Sequence, residues 1–212
     1  MRFKNLITTV LFTAAISQAS VLYNNTTNDT GFTDSFIQNS LVEAGDQIQL
    51  TSGGLVSSAT TALFNSGSEG QALSITLRLY NVDGTDLGSQ ITSSTLSNVN
   101  FAAGALTPLT FSGLNVTLPQ NVVWTLSFTA TDPIALELPD YDAPTIGTSD
   151  NTTVWWDTGS GLQLTTPGFD TENYYFAVQG GDTATPEPAA FILSGAGLAL
   201  LWFARRRKVT AN

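Results

Sequence analysis

Two adjacent tryptophans, in Val154-Trp155-Trp156-Asp157-Thr158, are the side chains of this 212-residue chain best suited to meeting a ligand. Neighbours on a strand face opposite sides of its sheet. One indole of Trp155 and Trp156 is therefore expected in a core and the other outside. There its face can stack on a sugar ring while Asp157 and Thr158 bond the hydroxyls. The alternative is a second indole covered by a neighbouring strand or loop. Asp140-Tyr141-Asp142 and Asp83-Gly84-Thr85-Asp86 gather carboxylates of the kind a hard cation such as Ca²⁺ requires. Neither spacing completes a calcium loop, and Asp83-Gly84 is also the dipeptide of a tight hairpin turn. No metal ligand and no cofactor is assigned.

Composition narrows the chemistry further. The chain has no Cys and no His, so disulfides, thiolate nucleophiles, imidazole bases, Ser-His-Asp triads and Cys/His zinc sites are all excluded. The sixteen acids between residues 20 and 185 could pair for glycoside hydrolysis by number alone. None sits in a recognisable catalytic context, so no catalytic residue is assigned and the chain reads as non-enzymatic. The formal net charge is −10. Arg2 and Lys4 open the chain, Arg205, Arg206, Arg207 and Lys208 nearly close it, and Arg78 is the one cation between. An acidic middle with a single Arg does not suit nucleic acid or an anionic membrane surface, which need clustered cations.

The elements that must carry these residues are strands. In "ALSITLRLY", Leu73, Ile75, Leu77 and Leu79 alternate with Ser74, Thr76, Arg78 and Tyr80. "VVWTLSFTAT" sets Trp124, Leu126, Phe128 and Ala130 against Val123, Thr125, Ser127 and Thr129, and "NYYFAVQG" repeats the period with Tyr174, Phe176 and Val178. Period two places one face of each run in a core. Breakers at Gly53-Gly54, Ser66-Gly67, Asp83-Gly84, Pro119-Gln120-Asn121, Asp132-Pro133 and Gly159-Ser160-Gly161 separate them. Without a sustained helical period, residues 20–183 are expected to form an all-β domain: an antiparallel β-sandwich, jelly-roll-like.

Both ends differ from this middle. Arg2 and Lys4, an apolar run from Leu6 to Ile16 and the small residues Ser17 and Ala19 have the layout of a signal peptide, residues 1–19, cut after Ala19 by signal peptidase. At the other end residues 189–204 carry no charge. As a helix they would extend about 24 Å, short of a hydrocarbon core of about 30 Å. Arg205 to Lys208 would hold the inner side, and Pro186-Glu187-Pro188 stands on the outer side in an extended backbone.

Pro186, Glu187 and Pro188, then a Gly/Ala/Leu-rich apolar run, then Arg205, Arg206 and Arg207, resemble the PEP-CTERM sorting signal of Gram-negative bacteria, here residues 184–212. The resemblance implies that Pro186 to Pro188 are recognised by exosortase, a membrane enzyme. It implies that the basic cluster is the stop-transfer element. The protein would sit transiently in the inner membrane through a transmembrane helix at 189–204. Cleavage near the motif would then release it to the cell surface or extracellular matrix. The family's association with exopolysaccharide and biofilm implies a matrix role. A carbohydrate-binding module is the alternative, and an acidic-site glycoside hydrolase a more distant one.

Overall fold

Alternating patterning gives fourteen strands among the described residues of the computed structural model, which are 19–36, 40–129, 135–150, 153–166 and 173–181. In chain order they are β1 (Val21–Asn25), β2 (Asp29–Ser35), β3 (Glu43–Gln49), β4 (Gly54–Asn65), β5 (Gln71–Asp83), β6 (Asp86–Phe101) and β7 (Leu106–Leu118). The second half supplies β8 (Asn121–Thr129), β9 (Leu136–Tyr141), β10 (Thr148–Ser149), β11 (Val154–Asp157), β12 (Gln163–Thr165), β13 (Asn173–Tyr174) and β14 (Phe176–Gly180). They lie in the compact unit Gln18–Asp182.

Two seven-stranded sheets result. One runs β1-β14-β4-β9-β13, with β2 on β9 and β7 on β4, and the other runs β12-β11-β3-β8-β5-β6, with β10 on β3. Every pairing is antiparallel. Both sheets feed one core: Val56, Leu63 and Phe176 from the first meet Ile48, Leu77 and Trp124 from the second. The Trp124 and Phe176 rings stack at 4.1 Å with planes 2° apart. Each fully buried large side chain of this kind contributes about 1.5–3 kcal/mol.

The period-two reading holds in detail on β5, where Ile75, Leu77 and Leu79 are buried in the core. On β8 it holds for one face only. Trp124 and Leu126 are buried as expected, but Val123 and Thr125 on the opposite face are buried as well. β8 is an inner strand, flanked by β3 and β5, so long side chains from both neighbours close over it. "NYYFAVQG" is split into β13 and β14, because Tyr175 N–H donates to Pro139 O and leaves the ladder at that point.

Asp83-Gly84-Thr85-Asp86 is the β5–β6 turn. Asp83 and Asp86 are Cα partners, and Gly84 takes φ 66° at the first central position, where a type II′ turn requires glycine. Among the described residues no helix is long and apolar enough to cross a membrane. The expected signal helix and the apolar run at 189–204 lie outside the described residues.

Candidate functional site

The face of the second sheet that points away from the core carries a polar cluster built from three adjacent strands. Glu43 of β3 is buried at 8% exposure and accepts hydrogen bonds from Arg78 and Tyr80 of β5 and Thr125 of β8. Arg78 also donates to Ser127 Oγ at 2.8 Å. The register explains the convergence: Glu43 faces Ser127, and Thr125 faces Arg78. Burial, followed by the Glu43 charge and its hydrogen bond, pushes the Tyr80 phenol up to about 12. Both carboxylate oxygens of Glu43 are engaged within the sheet, an arrangement that holds three strands in register.

A second polar chain runs through the interior. Trp156 Nε1 donates to Tyr174 Oη at 3.0 Å, and Tyr174 Oη donates to Asp34 Oδ2 at 2.7 Å. Tyr174 is fully buried and Asp34 is 7% exposed. Burial holds the Asp34 carboxyl above its ordinary 3.8, with the Tyr174 hydrogen bond opposing part of that rise. A folded-state value above the unfolded one means the native state binds the proton more tightly. Asp34 therefore contributes most stability below pH 3.8 and loses it as pH rises through the raised value. We predict that Asp34→Asn, measured against the unaltered protein by thermal melting between pH 3.5 and 7, gains relative stability as pH rises. A relative loss over that range would contradict the assignment.

The tryptophan pair is placed differently from the expectation. The two indoles do face opposite sides: Trp156 pairs with Ala44 and packs against the core, while Trp155 pairs with Gly45 on the outer face. The outward Trp155 is nevertheless the more covered of the two, at 3% exposure, and Trp156 is half-buried. Neither presents the fully exposed indole that sugar stacking at this pair presupposes. Alternation therefore holds for direction and not for exposure: within the sheet Trp155 sits between Leu164 of β12 and Gly45 of β3.

The acidic loops also separate. Asp140 is buried on β9 opposite Tyr174, whereas Asp142 is exposed and its N–H donates to Asn28 O. Among the described residues no group of three or more acidic side chains is placed to hold a metal ion. Ala19, the expected cleavage position, is exposed at the first described residue. Pro186, Glu187, Pro188, Arg205, Arg206, Arg207 and Lys208 lie outside the described residues.

Buried carboxylates at Asp34, Glu43 and Asp46 were not anticipated from the sequence. A signal for one of them existed. Glu43 and Asp46 are three positions apart on one strand, so they must face opposite sides and one must point inward.

Comparison with known families turns on the far end of the chain. The family described as the PEP-CTERM protein-sorting motif matches residues 184–208. This chain carries a PEP-CTERM sorting motif. The matched stretch takes in Pro186, Glu187 and Pro188 together with Arg205 to Lys208, and it marks an exported protein sorted by exosortase. No curated protein and no solved structure matches the chain.

Proposed function

We propose that the two-sheet domain is the cargo of the PEP-CTERM signal: a non-enzymatic sandwich protein delivered to the surface or extracellular matrix of a Gram-negative bacterium, where it associates with exopolysaccharide and biofilm. The observation that carries this reading is the motif at 184–208, which follows closely on the last strand, β14, ending at Gly180. The precursor enters the inner membrane through residues 189–204. Exosortase then cleaves near Pro186 to Pro188 and frees the domain. Supporting a passive role, two of the buried acids are engaged by neighbours: Glu43 by Arg78, Tyr80 and Thr125, and Asp34 by Tyr174.

Mass spectrometry of the protein recovered from the cell surface tests the sorting step. Peptides up to the neighbourhood of Pro188 are expected, and "RRRKVTAN" is expected to be missing from the surface species. Recovery of that peptide on the mature protein would replace sorting with a permanent anchor.

A further inference from the structure

A cleft of about 180 Å³ opens where β10 joins β3, and its polar lining is Gln47, Gln49, Asn121, Thr148, Ser149 and Asp150. The strand register places these residues. Thr148 of β10 is the Cα partner of Gln49 of β3, which is in turn the partner of Asn121 of β8. Cα partners share a face of the sheet and neighbouring strands lie about 4.8 Å apart, so these three residues form a row about 10 Å long. Gln47, two residues from Gln49, stands on the same face about 7 Å along the strand. β10 pairs with β3 at Ile48 and Gln49, and β11 pairs with it at Glu43, Ala44 and Gly45. Among the described residues these two pairings leave a break in the ladder beside Gln47, and the cleft opens there.

The chemistry of the lining selects its ligand. Gln49, Asn121 and Thr148 are exposed, and Gln47 is half-buried. A carboxamide offers two N–H donors and an oxygen acceptor, and a hydroxyl plays both roles. Thr148 Oγ1 donates to Gln49 Oε1 at 2.9 Å, which fixes these two side chains relative to each other. Asp150 is the one charged residue of the lining, and its carboxylate accepts from the N–H and the hydroxyl of Thr153. An anion finds no counter-charge, since Arg78, the one cation between residues 20 and 185, is paired with Glu43. A hard cation requires several charged or carbonyl oxygens, and among the described residues no group of three or more acidic side chains is placed to supply them. An apolar ligand gains little, because Ile48, the apolar member of the lining, is itself buried. What matches a row of carboxamides and a hydroxyl is a neutral ligand with neighbouring hydroxyls, each able to donate and accept. Pockets that enclose a whole small ligand run to about 300–1,000 Å³. An open cleft of about 180 Å³ suits instead a segment of a longer chain that continues past it.

We propose that this cleft is a binding subsite for a neutral polysaccharide, with Gln47, Gln49, Asn121 and Thr148 bonding sugar hydroxyls as the chain passes across β10, β3 and β8. The inference rests on the reading that the domain associates with exopolysaccharide. It moves the contact from the tryptophan pair, neither of whose indoles is fully exposed, to a row of polar side chains on the same sheet. The charge of the domain fits the choice of ligand. Sixteen acids against one Arg between residues 20 and 185 repel an acidic polysaccharide, whereas a neutral one is indifferent to that field. Binding through uncharged hydrogen bonds is accordingly insensitive to salt.

Affinity electrophoresis of the exported protein tests this, in native gels containing exopolysaccharide purified from the same cells and divided on an anion exchanger into a neutral and an acidic fraction. The unaltered protein should be retarded by the neutral fraction, to the same extent at low and high salt. The double variant Gln49→Ala/Asn121→Ala should raise Kd about tenfold, the loss of two hydrogen bonds between uncharged groups, and should melt as the unaltered protein does because both side chains are exposed. Thr76→Ala/Thr95→Ala removes a hydroxyl pair elsewhere on the same sheet and should leave Kd unchanged. Should the first double variant fail to fold, Thr148→Val is the replacement, with a Kd raised several-fold. Retardation of Gln49→Ala/Asn121→Ala or Thr148→Val equal to that of the unaltered protein overturns the cleft and leaves the association with exopolysaccharide standing. So does an equal loss in the Thr76/Thr95 control, or retardation by the acidic fraction alone. An unaltered protein retarded by neither fraction overturns the association itself, and the subsite with it.

Discussion

A chain carrying Gly45→Ala should fail to fold. Gly45 lies on β3 opposite Thr125 of its neighbour β8, and a Cβ added there would sit 1.8 Å from Trp124 O and 2.6 Å from Thr125 Cα. Both obstacles are backbone. They belong to an inner strand that pairs with β3 on one side and β5 on the other, so the clash cannot be relieved by turning a side chain. Relief would require β3 and β8 to separate, breaking the ladder that aligns Glu43 with Ser127 and Asp46 with Trp124. The cost belongs with the exceptional class of single mutations, above about 4–5 kcal/mol, in a fold whose whole stability is on the order of 5–15 kcal/mol. Loss of cooperative melting and of soluble yield is the expected result. Gly84→Ala is the matched control: nothing lies within 4 Å of its added Cβ, so only the left-handed backbone is penalised, at about 1–2 kcal/mol. If Gly45→Ala melts as Gly84→Ala does, the close approach of β3 to β8 is wrong.

This contrast between Gly45 and Gly84 also marks what the sequence discloses. Gly84 follows Asp83 between two alternating runs, and the dipeptide alone announces a turn. Gly45 sits in "EAGDQIQ" with no such context, because its reason is the Trp124 carbonyl on β8, 79 positions away in the chain. The same division runs through the rest of the fold. Ile75, Leu77 and Leu79 were legible as core because alternation is a local property. Burial of Val123, Thr125 and Trp155 was not, since each faces away from the core and its lateral neighbours come from strands that only the folded topology sets beside its own. Polar pairs such as Asp34 with Tyr174, 140 positions apart, leave no local trace at all. The sorting motif was legible for the opposite reason. Its information is linear: two prolines that bar regular structure, an apolar run, then cations, read in order by a partner.

That linear character leads to the sharpest expectation for the tail. Glu187→Ala should slow processing on the order of 10–100-fold, because a hydrogen bond to a charged group is worth about 1.5–3 kcal/mol and each 1.36 kcal/mol is tenfold in rate. Pro186 and Pro188 can fix the extended backbone but offer no backbone N–H and no polar side chain. Glu187 is thus the one side chain of Pro186-Glu187-Pro188 that can tell an enzyme from a bilayer. A simple anchor would respond otherwise, since one carboxylate outside the hydrocarbon adds little to membrane insertion. Pulse-chase labelling with separation of inner-membrane and surface fractions measures the difference: the variant should accumulate as membrane-bound precursor, and the variant domain should still melt like the unaltered one. Processing of Glu187→Ala at the unaltered rate would remove Glu187 from the recognition element. Normal melting in the retained precursor is what separates a failure of recognition from a failure of folding.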